Sequence, residues 1–461
     1  MPKHTLSKKL WPVALASTLA ISGLSINSGS PAQAAETPTN KNEIRNVIFL
    51  IGDGMGPTYT TAYRSFKDNK ATPMQEDTSF DKDLVGMQST YSWDPKESVT
   101  DSAAAATSMS AGIKTYNGAI AVDMDKKDVK TVLEQAKENG KSTGLVATSQ
   151  INHATPASFG AHDHSRENYD AIANDYYDDL INGQHKVDVL LGGGTKYFER
   201  ADRNIAEQFK KDGYSYVKTR QDMLNDKNKQ VLGLFGEKEM AKGIDRPETQ
   251  PTLKEMTNSA LERLNTNKKG FFLMVEGSQI DWAGHDNDVV AAMSDMKSFE
   301  ESYEAAIEFA KKDKHTLVIA TADHSTGGMT MGRDGEYKWD PAPLKAAKKT
   351  PDFMAKEIEK GAPVEETLKK YIDLELTPEE IQSVQAAKDK SGKALDIDNA
   401  IEKIFDMRSG TGWTTDGHTG EDVTVYAYGP GMEKFAGKID NTDTAKEIFA
   451  VLEQSKAAFN K

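Results

Sequence analysis

The sequence predicts an α/β protein of three α/β/α layers around a large, mostly parallel central sheet. Two observations carry this. Short apolar runs recur at Asn46–Ile51, Thr143–Thr148, Val187–Leu191, Phe271–Val275, Thr316–Ala320 and Val423–Tyr428, with helix-length segments between them. The runs are continuous rather than alternating, as strands covered on both faces must be. A chain of 461 residues with 37% hydrophobic and 28% charged residues has enough apolar content for a real core, in one large domain or two of ordinary size.

Residues 1–34 stand apart from this pattern. Lys3, Lys8 and Lys9 form a basic start, Leu10–Ile26 is mostly apolar, and Ala32-Gln33-Ala34 offers small residues for cleavage. A secretory signal peptide cut near Ala34 is expected, which places the mature chain outside the cytoplasm, in the periplasm, the cell wall or the medium. The apolar stretch is short and broken by Pro12, Ser17, Ser22, Gly23 and Ser25, so no membrane span is expected after processing. Loss of the leader moves the formal charge from −14 to −17, because it carries three Lys and no acid. So acidic a protein is a poor binder of nucleic acid or anionic membrane. Cysteine is absent, which excludes disulfides, a Cys nucleophile and Cys-type zinc sites. Any metal must be held by His and carboxylates.

Between Gly332 and Gly410 the composition shifts to Lys, Glu and Ala with helical periodicity. Thr377-Pro378-Glu379-Glu380 reads as a helix start, Thr377 capping and Glu380 completing a capping box. This segment, about 332–410, is expected to be a helical surface insertion.

Ligands of such sheets bind beyond the carboxyl ends of the strands, and the chemistry-bearing residues fall there. Asp53 follows the first run inside Gly52-Asp53-Gly54-Met55-Gly56, where glycines permit a sharp turn. Glu276 ends the Phe271 run, and Asp281 and His285, four apart, share a helix face on which two side chains can grip one ion. Asp323 and His324 follow the Thr316 run. His418 precedes its run instead, so for His418 to join the others the Val423–Tyr428 strand must run antiparallel. Ser102 opens a run of four alanines; it is either an ordinary helix cap or a nucleophile whose negative charge the helix end favours. Arg166 presents a fork suited to two phosphate oxygens. His162 and His164 read as polar supports. Gly140-Lys141-Ser142 lacks the first glycine of a phosphate-binding loop, and no Gly-x-Ser-x-Gly elbow surrounds Ser102.

Taken in chain order, Asp53, Asp101-Ser102-Ala103, His153-x-Thr155, Arg166, Glu276 with Asp281 and His285, Asp323-His324 and Gly417-His418-Thr419-Gly420 resemble the alkaline phosphatase family, in particular secreted bacterial members of Gram-positive type. The resemblance runs from about Asn46 to Gly431 and implies a single catalytic domain over 35–461, with the helical insertion as a crown. It implies a metal-dependent phosphate monoester hydrolase of broad specificity and alkaline optimum, acting through a phosphoserine on Ser102, with Arg166 and Asp101 binding substrate. It further implies two Zn2+, one held by Asp281, His285 and His418 and one by Asp53, Asp323 and His324, and one Mg2+ held by Asp53, Thr155 and Glu276. A homodimer is also implied, with the insertion near its interface. The best-known bacterial pattern has Asp at His153 and Lys at Trp282; the first departure alters the surroundings of the third ion, the second removes a cation near phosphate. The rival reading is a phosphodiesterase of the same superfamily.

Overall fold

Asn46–Gly52 (β1) is buried along its whole length and divides its side chains between two apolar layers. Ile48 and Leu50 enter one core, Val47, Phe49 and Ile51 the other. That is the period-two geometry of a strand covered on both faces. Truncating a ring such as Phe49 to Ala costs about 3–5 kcal/mol. The structure, a computed structural model, describes residues 43–69 and 71–459; the expected leader and its cleavage point lie outside the described residues.

Among the described residues ten strands form one sheet. After β1 come Leu84–Ser89 (β2), Ser142–Gln150 (β3), Val189–Gly193 (β4), Ser215–Val217 (β5), Val231–Leu234 (β6), Phe271–Gly277 (β7), Thr316–Ala322 (β8), Val423–Tyr428 (β9) and Gly437–Asp440 (β10), in the spatial order β10-β2-β9-β8-β1-β7-β3-β4-β6-β5. β9 runs antiparallel to both of its neighbours, β8 and β2, and every other pairing is parallel. The helices Leu253–Leu264 and Val289–Asp313 cover one face; Ser102–Ala111, Val132–Glu138, Ala154–Gly160 and Asn441–Phe459 cover the other. The three-layer α/β/α architecture follows.

The segment from 332 to 410 holds the helices Ala342–Lys345, Pro351–Glu359, Val364–Tyr371, Pro378–Ser391 and Ala394–Ser409. Its two ends are tied together where Thr330–Met331 pairs antiparallel with Thr411–Gly412. The capping box forms: Thr377 Oγ1 accepts from the Glu380 amide at 3.3 Å, and Glu380 accepts from the Thr377 amide at 2.8 Å. Among the described residues no helix is long and apolar enough to cross a membrane.

Register positions the chemistry. Gly52 ends β1 opposite Ala322 of β8 and Gly277 of β7. The next residues of the three strands, Asp53, Asp323 and Ser278, therefore emerge together at one sheet edge, with Glu276 beside Ile51. Gly54 sits there with φ +71°, and a Cβ on it would lie 2.7 Å from Thr326 Oγ1 and 2.8 Å from the Asp281 Cα, so only glycine lets the turn close.

Candidate active site

Asp101, not Ser102, caps the helix Ser102–Ala111. Its Oδ1 accepts from the Ala104 amide at 2.9 Å, which leaves the Ser102 hydroxyl free of that task. The Ser102 Oγ, almost wholly buried, lies 3.1 Å from His324 Nε2. The other Asp101 oxygen accepts from the Gly118 amide and from Arg166 Nη1, each at 2.9 Å, so one carboxylate both starts the helix and aims the guanidinium. Burial opposes the charge on Arg166, but Asp101 holds its pKa above the ordinary value.

Strand ends supply the rest. Asp323 Oδ1 accepts from the Gly54 and His324 amides, both at 3.0 Å, and its Oδ2 faces His324 Nε2 at 3.2 Å. Asp53 Oδ1 is 3.4 Å from the same nitrogen. Asp281 faces His285 Nε2 at 3.4 Å and His418 Nε2 at 3.5 Å. His418 arrives because His418–Thr419 pairs antiparallel with Ser325–Thr326, and its ring stacks on His324 at 3.6 Å. Glu276 accepts from Ser149 Oγ at 3.2 Å. The Thr155 side chain is fully buried in the first turn of Ala154–Gly160. His153 lies 3.4 Å from Arg166 Nη2 and meets Trp282 edge to face at 5.5 Å. Asp53, Asp101, Ser102, His153, Arg166, Glu276, Asp281, Trp282, His285, Asp323, His324 and His418 thus fall within one connected region, while Thr155 is buried and its Oγ1 has no hydrogen-bond partner.

So many acids in a dry pocket are unstable without positive charge. Burial, then Asp323, Asp281 and Glu276, lift the Asp53 carboxyl well above the usual carboxylate range, and burial first pushes Glu276 up to about 7. Burial also raises Asp281, yet its pairing with His285 and the charges of His324 and His418 hold it well below the usual range. His285 rises to about 9, its pairing with Asp281 outweighing burial, and His418 falls to about 4 through burial and then His324.

The donor set fits metal ions. Asp53 Oδ1, Asp323 Oδ2, Glu276 Oε1, Thr155 Oγ1 and His153 Nδ1 are buried without a hydrogen-bond partner. Candidate ligand atoms of Asp53, Asp323 and His324, and likewise of Asp281, His324 and His418, lie within 4.8 Å of one another. His285 Nδ1 meets the Asp416 carbonyl at 2.5 Å and His418 Nδ1 the Thr100 carbonyl at 2.9 Å, while the two Nε2 atoms face each other at 3.1 Å. Carbonyl partners fix the tautomers, so two lone pairs point together and need a proton or a metal cation. The His and Asp of these groups, and the buried oxygens of Asp53, Thr155 and Glu276, are donor types that bind divalent metal ions.

A comparison with family models matches the alkaline phosphatase family over residues 44–454. The chain belongs to that family. It is 64% identical over 450 residues to Alkaline phosphatase 3 of Bacillus subtilis, covering 97% of each chain, and 57% identical over 458 residues to Alkaline phosphatase 4 of the same organism, covering 98% of each. Among solved structures it resembles the cold-active alkaline phosphatase of a psychrophilic Shewanella, with a TM-score of 0.83 and 42% identity over 88% of this chain and 99% of that one. The protein is accordingly an alkaline phosphatase, a metal-dependent enzyme class that hydrolyses phosphate monoesters.

Some of the site is not among the residues singled out from the sequence. Thr326 Oγ1 donates to Asp281 Oδ1 at 2.5 Å and lies 3.3 Å from His324 Nδ1, yet a Thr two places after Asp323-His324 carries no distinctive signal. The Thr100 and Asp416 carbonyls, which turn two imidazoles, are backbone groups and have no sequence mark. His162, read as a polar support, pairs with Glu134 at 2.8 Å. That pair and Asp179 resemble a third ligand group, but Lys186 Nζ already fills it, 2.6 Å from Asp179.

Proposed function

We propose that the protein removes phosphate from monoesters by way of a phosphoserine on Ser102. The observation that carries the reading is the Ser102 hydroxyl freed from capping by Asp101, set at a helix N-terminus and facing the His324, Asp53 and Asp323 group. We assign one Zn2+ to Asp281, His285 and His418, a second to Asp53, Asp323 and His324, and one Mg2+ to Asp53, Thr155 and Glu276, with His153 beside the last. When bound, these ions supply the positive charge that lets a hydroxyl ionise and a dianionic ester approach.

The remaining steps belong to the chain. Arg166, aimed by Asp101, takes two non-bridging phosphate oxygens in its fork, and the Ser102 helix end adds amide dipoles. Ser102 Oγ attacks phosphorus in line; the bond to the alcohol oxygen breaks, and that oxygen leaves with the electron pair and takes up a proton. Water then attacks the phosphoserine, the P–Oγ bond breaks, and phosphate departs. His153 is neutral, its pKa lowered to about 3 by burial and then by Arg166, so it does not compete with Arg166 for the anion. Serine ionisation supports an alkaline optimum, and an Arg166 fork that reads the phosphate common to all monoesters supports broad monoester specificity. A diester presents one free charge fewer, which favours the monoester over the phosphodiesterase reading.

The single catalytic domain over 35–461, the crown role of residues 332–410, a homodimer with that segment near its interface, and export after cleavage near Ala34 complete the proposal. Rates on a monoester, a diester and a sulfate ester, with acid trapping of labelled phosphate on the protein, test it. A faster diester rate, or label that persists in Ser102→Ala, overturns it.

A further inference from the structure

A cavity of about 760 Å³ opens beside Trp282 and His285, where the helix Gln279–His285 faces Pro351–Glu359 and Ala394–Ser409. Its wall carries five carboxylates, Glu239, Asp245, Asp286, Asp352 and Asp398, against two ammonium groups, Lys242 and Lys356. Both cations are committed: Lys242 to Asp286 at 2.9 Å and Asp288 at 3.9 Å, Lys356 to Asp352 at 2.6 Å. Asp398 decides the chemistry. It lines the cavity, is only 5% exposed, and its buried Oδ1 has no hydrogen-bond partner. A buried carboxylate oxygen in that state is destabilising until a donor reaches it. Glu402 Oε1 and Asp288 Oδ2 lack a hydrogen bond as well, and Lys242 is taken up by Asp286 and Asp288. Burial, then Asp288 and Asp352, push the Asp398 carboxyl up to about 8, consistent with a wall short of positive charge.

The charges are dispersed. The groups whose ligand atoms converge within 4.8 Å among the described residues do not include this wall, so a compact metal ion is not its natural occupant. Trp282, Phe353 and the two-thirds-exposed Leu395 (66%) give it an apolar lining as well. Apolar lining and spread acids together suit an organic cation on a carbon chain. The wall also holds His285, which faces Asp281 at 3.4 Å, and Trp282, which meets His153 edge to face beside Arg166, so the cavity adjoins the active site.

We infer that this cavity is a subsite for the alcohol portion of phosphate monoesters that carry an ammonium or guanidinium group several carbons from the ester, with Asp398 and Asp352 meeting the cation. The inference rests on the monoesterase reading and names the substrate class that reading leaves open.

Three size-matched esters test it on the full, metal-loaded protein: 6-aminohexyl phosphate, hexyl phosphate and 6-phosphonooxyhexanoate. Calorimetric affinities of 6-aminohexylphosphonate and hexylphosphonate, which the enzyme cannot cleave, add a readout independent of turnover. The amino ester should exceed hexyl phosphate in kcat/KM by about tenfold, the carboxylate should fall below it, and the phosphonates should show the same order. In Asp398→Asn and in Asp352→Asn the amino-to-hexyl ratio should fall to within about threefold; as a ratio it is unaffected by any unfolded fraction. Asp352 lies at the surface, so its variant still decides if Asp398→Asn does not fold. Equal values for amino and hexyl probes in the native protein, or a preference that survives substitution, overturns the inference. Failure to hydrolyse hexyl phosphate at all would instead overturn the monoesterase reading.

Discussion

Two buried acidic clusters flank the helix Gln279–His285, and they resolve the same electrostatic problem differently. At the active site Asp53, Asp281, Asp323 and Glu276 converge with three imidazoles, and two sets of ligand atoms come within 4.8 Å. At the base of the 332–410 segment Asp288, Asp398 and Glu402 are also buried and hold oxygens without a hydrogen bond, but among the described residues no group of converging His and carboxylate atoms includes them. There Lys242 is the main cation and proton uptake does the rest: burial and neighbouring acids lift Asp398 to about 8 and, with Asp398 first among those neighbours, Glu402 to about 11. Histidine nitrogens and converging geometry make a metal centre, whereas acids without them make a diffuse negative field.

The largest test of the contrast is at the nucleophile. Ser102→Ala should reduce monoester turnover by on the order of 10⁴-fold or more while metal content stays near that of the native protein, because the hydroxyl is spared from capping. Loss of metal together with activity would mean that Ser102 holds the cluster instead of reacting. Chelation comes next. Ions held a thousandfold above their dissociation constant stabilise the fold by about 4 kcal/mol each, so chelator should lower Tm as well as activity. The same drop in Tm is expected in Asp398→Asn; a smaller drop there would show that the second cluster takes metal too. Arg166→Ala should cost roughly 10²-fold in kcat/KM for a monoester and less for a diester, measured side by side.

Legibility divides along the same line. The six apolar runs became strands, and β9 runs antiparallel as the position of His418 demanded. Four strands of the sheet were not foreseen: β2 exposes Leu84 and Met87 and reads as loop, β10 is Gly-Lys-Ile-Asp, β5 has three residues, and β6, Val-Leu-Gly-Leu, is buried but only four residues long. Their pairing is decided by neighbours in space rather than by pattern. The site was readable because strand-end carboxylates and His residues fall in sequence where a parallel sheet puts ligands. Asp101 as cap was not, since Asp and Ser compete equally for that place. The second cluster was invisible, because Asp288, Asp398 and Glu402 read as ordinary helix charges until the chain folds them inward.

Smaller in effect is the pH response of that second cluster. Glu402 unfolded titrates near 4.5 and folded near 11, with burial the leading cause, so the folded state keeps a proton that the unfolded state releases between those values. The stability this contributes is complete below the lower value and is lost as pH rises toward the upper. Glu402→Gln removes that titration. The fall in Tm between pH 6 and pH 10 should shrink, and the variant should gain on the order of 1–3 kcal/mol at the alkaline end. An unchanged pH slope would show that Glu402 finds a cation in the folded state.

Trp282 stands between the two regions, edge to face with His153 on one side and in the wall of the acidic cavity on the other. Trp282→Lys therefore places a cation where either field can claim it. Turned toward His153 and Arg166, the ammonium adds to the phosphate clamp, and inhibition by inorganic phosphate should tighten about threefold to tenfold. That is the expected result, because the substrate dianion and Arg166 fix the geometry on that side, whereas the carboxylates of the cavity are spread. Unchanged phosphate inhibition, with a lowered preference for 6-aminohexyl over hexyl phosphate, would place the new charge in the cavity and show its field to be the stronger of the two.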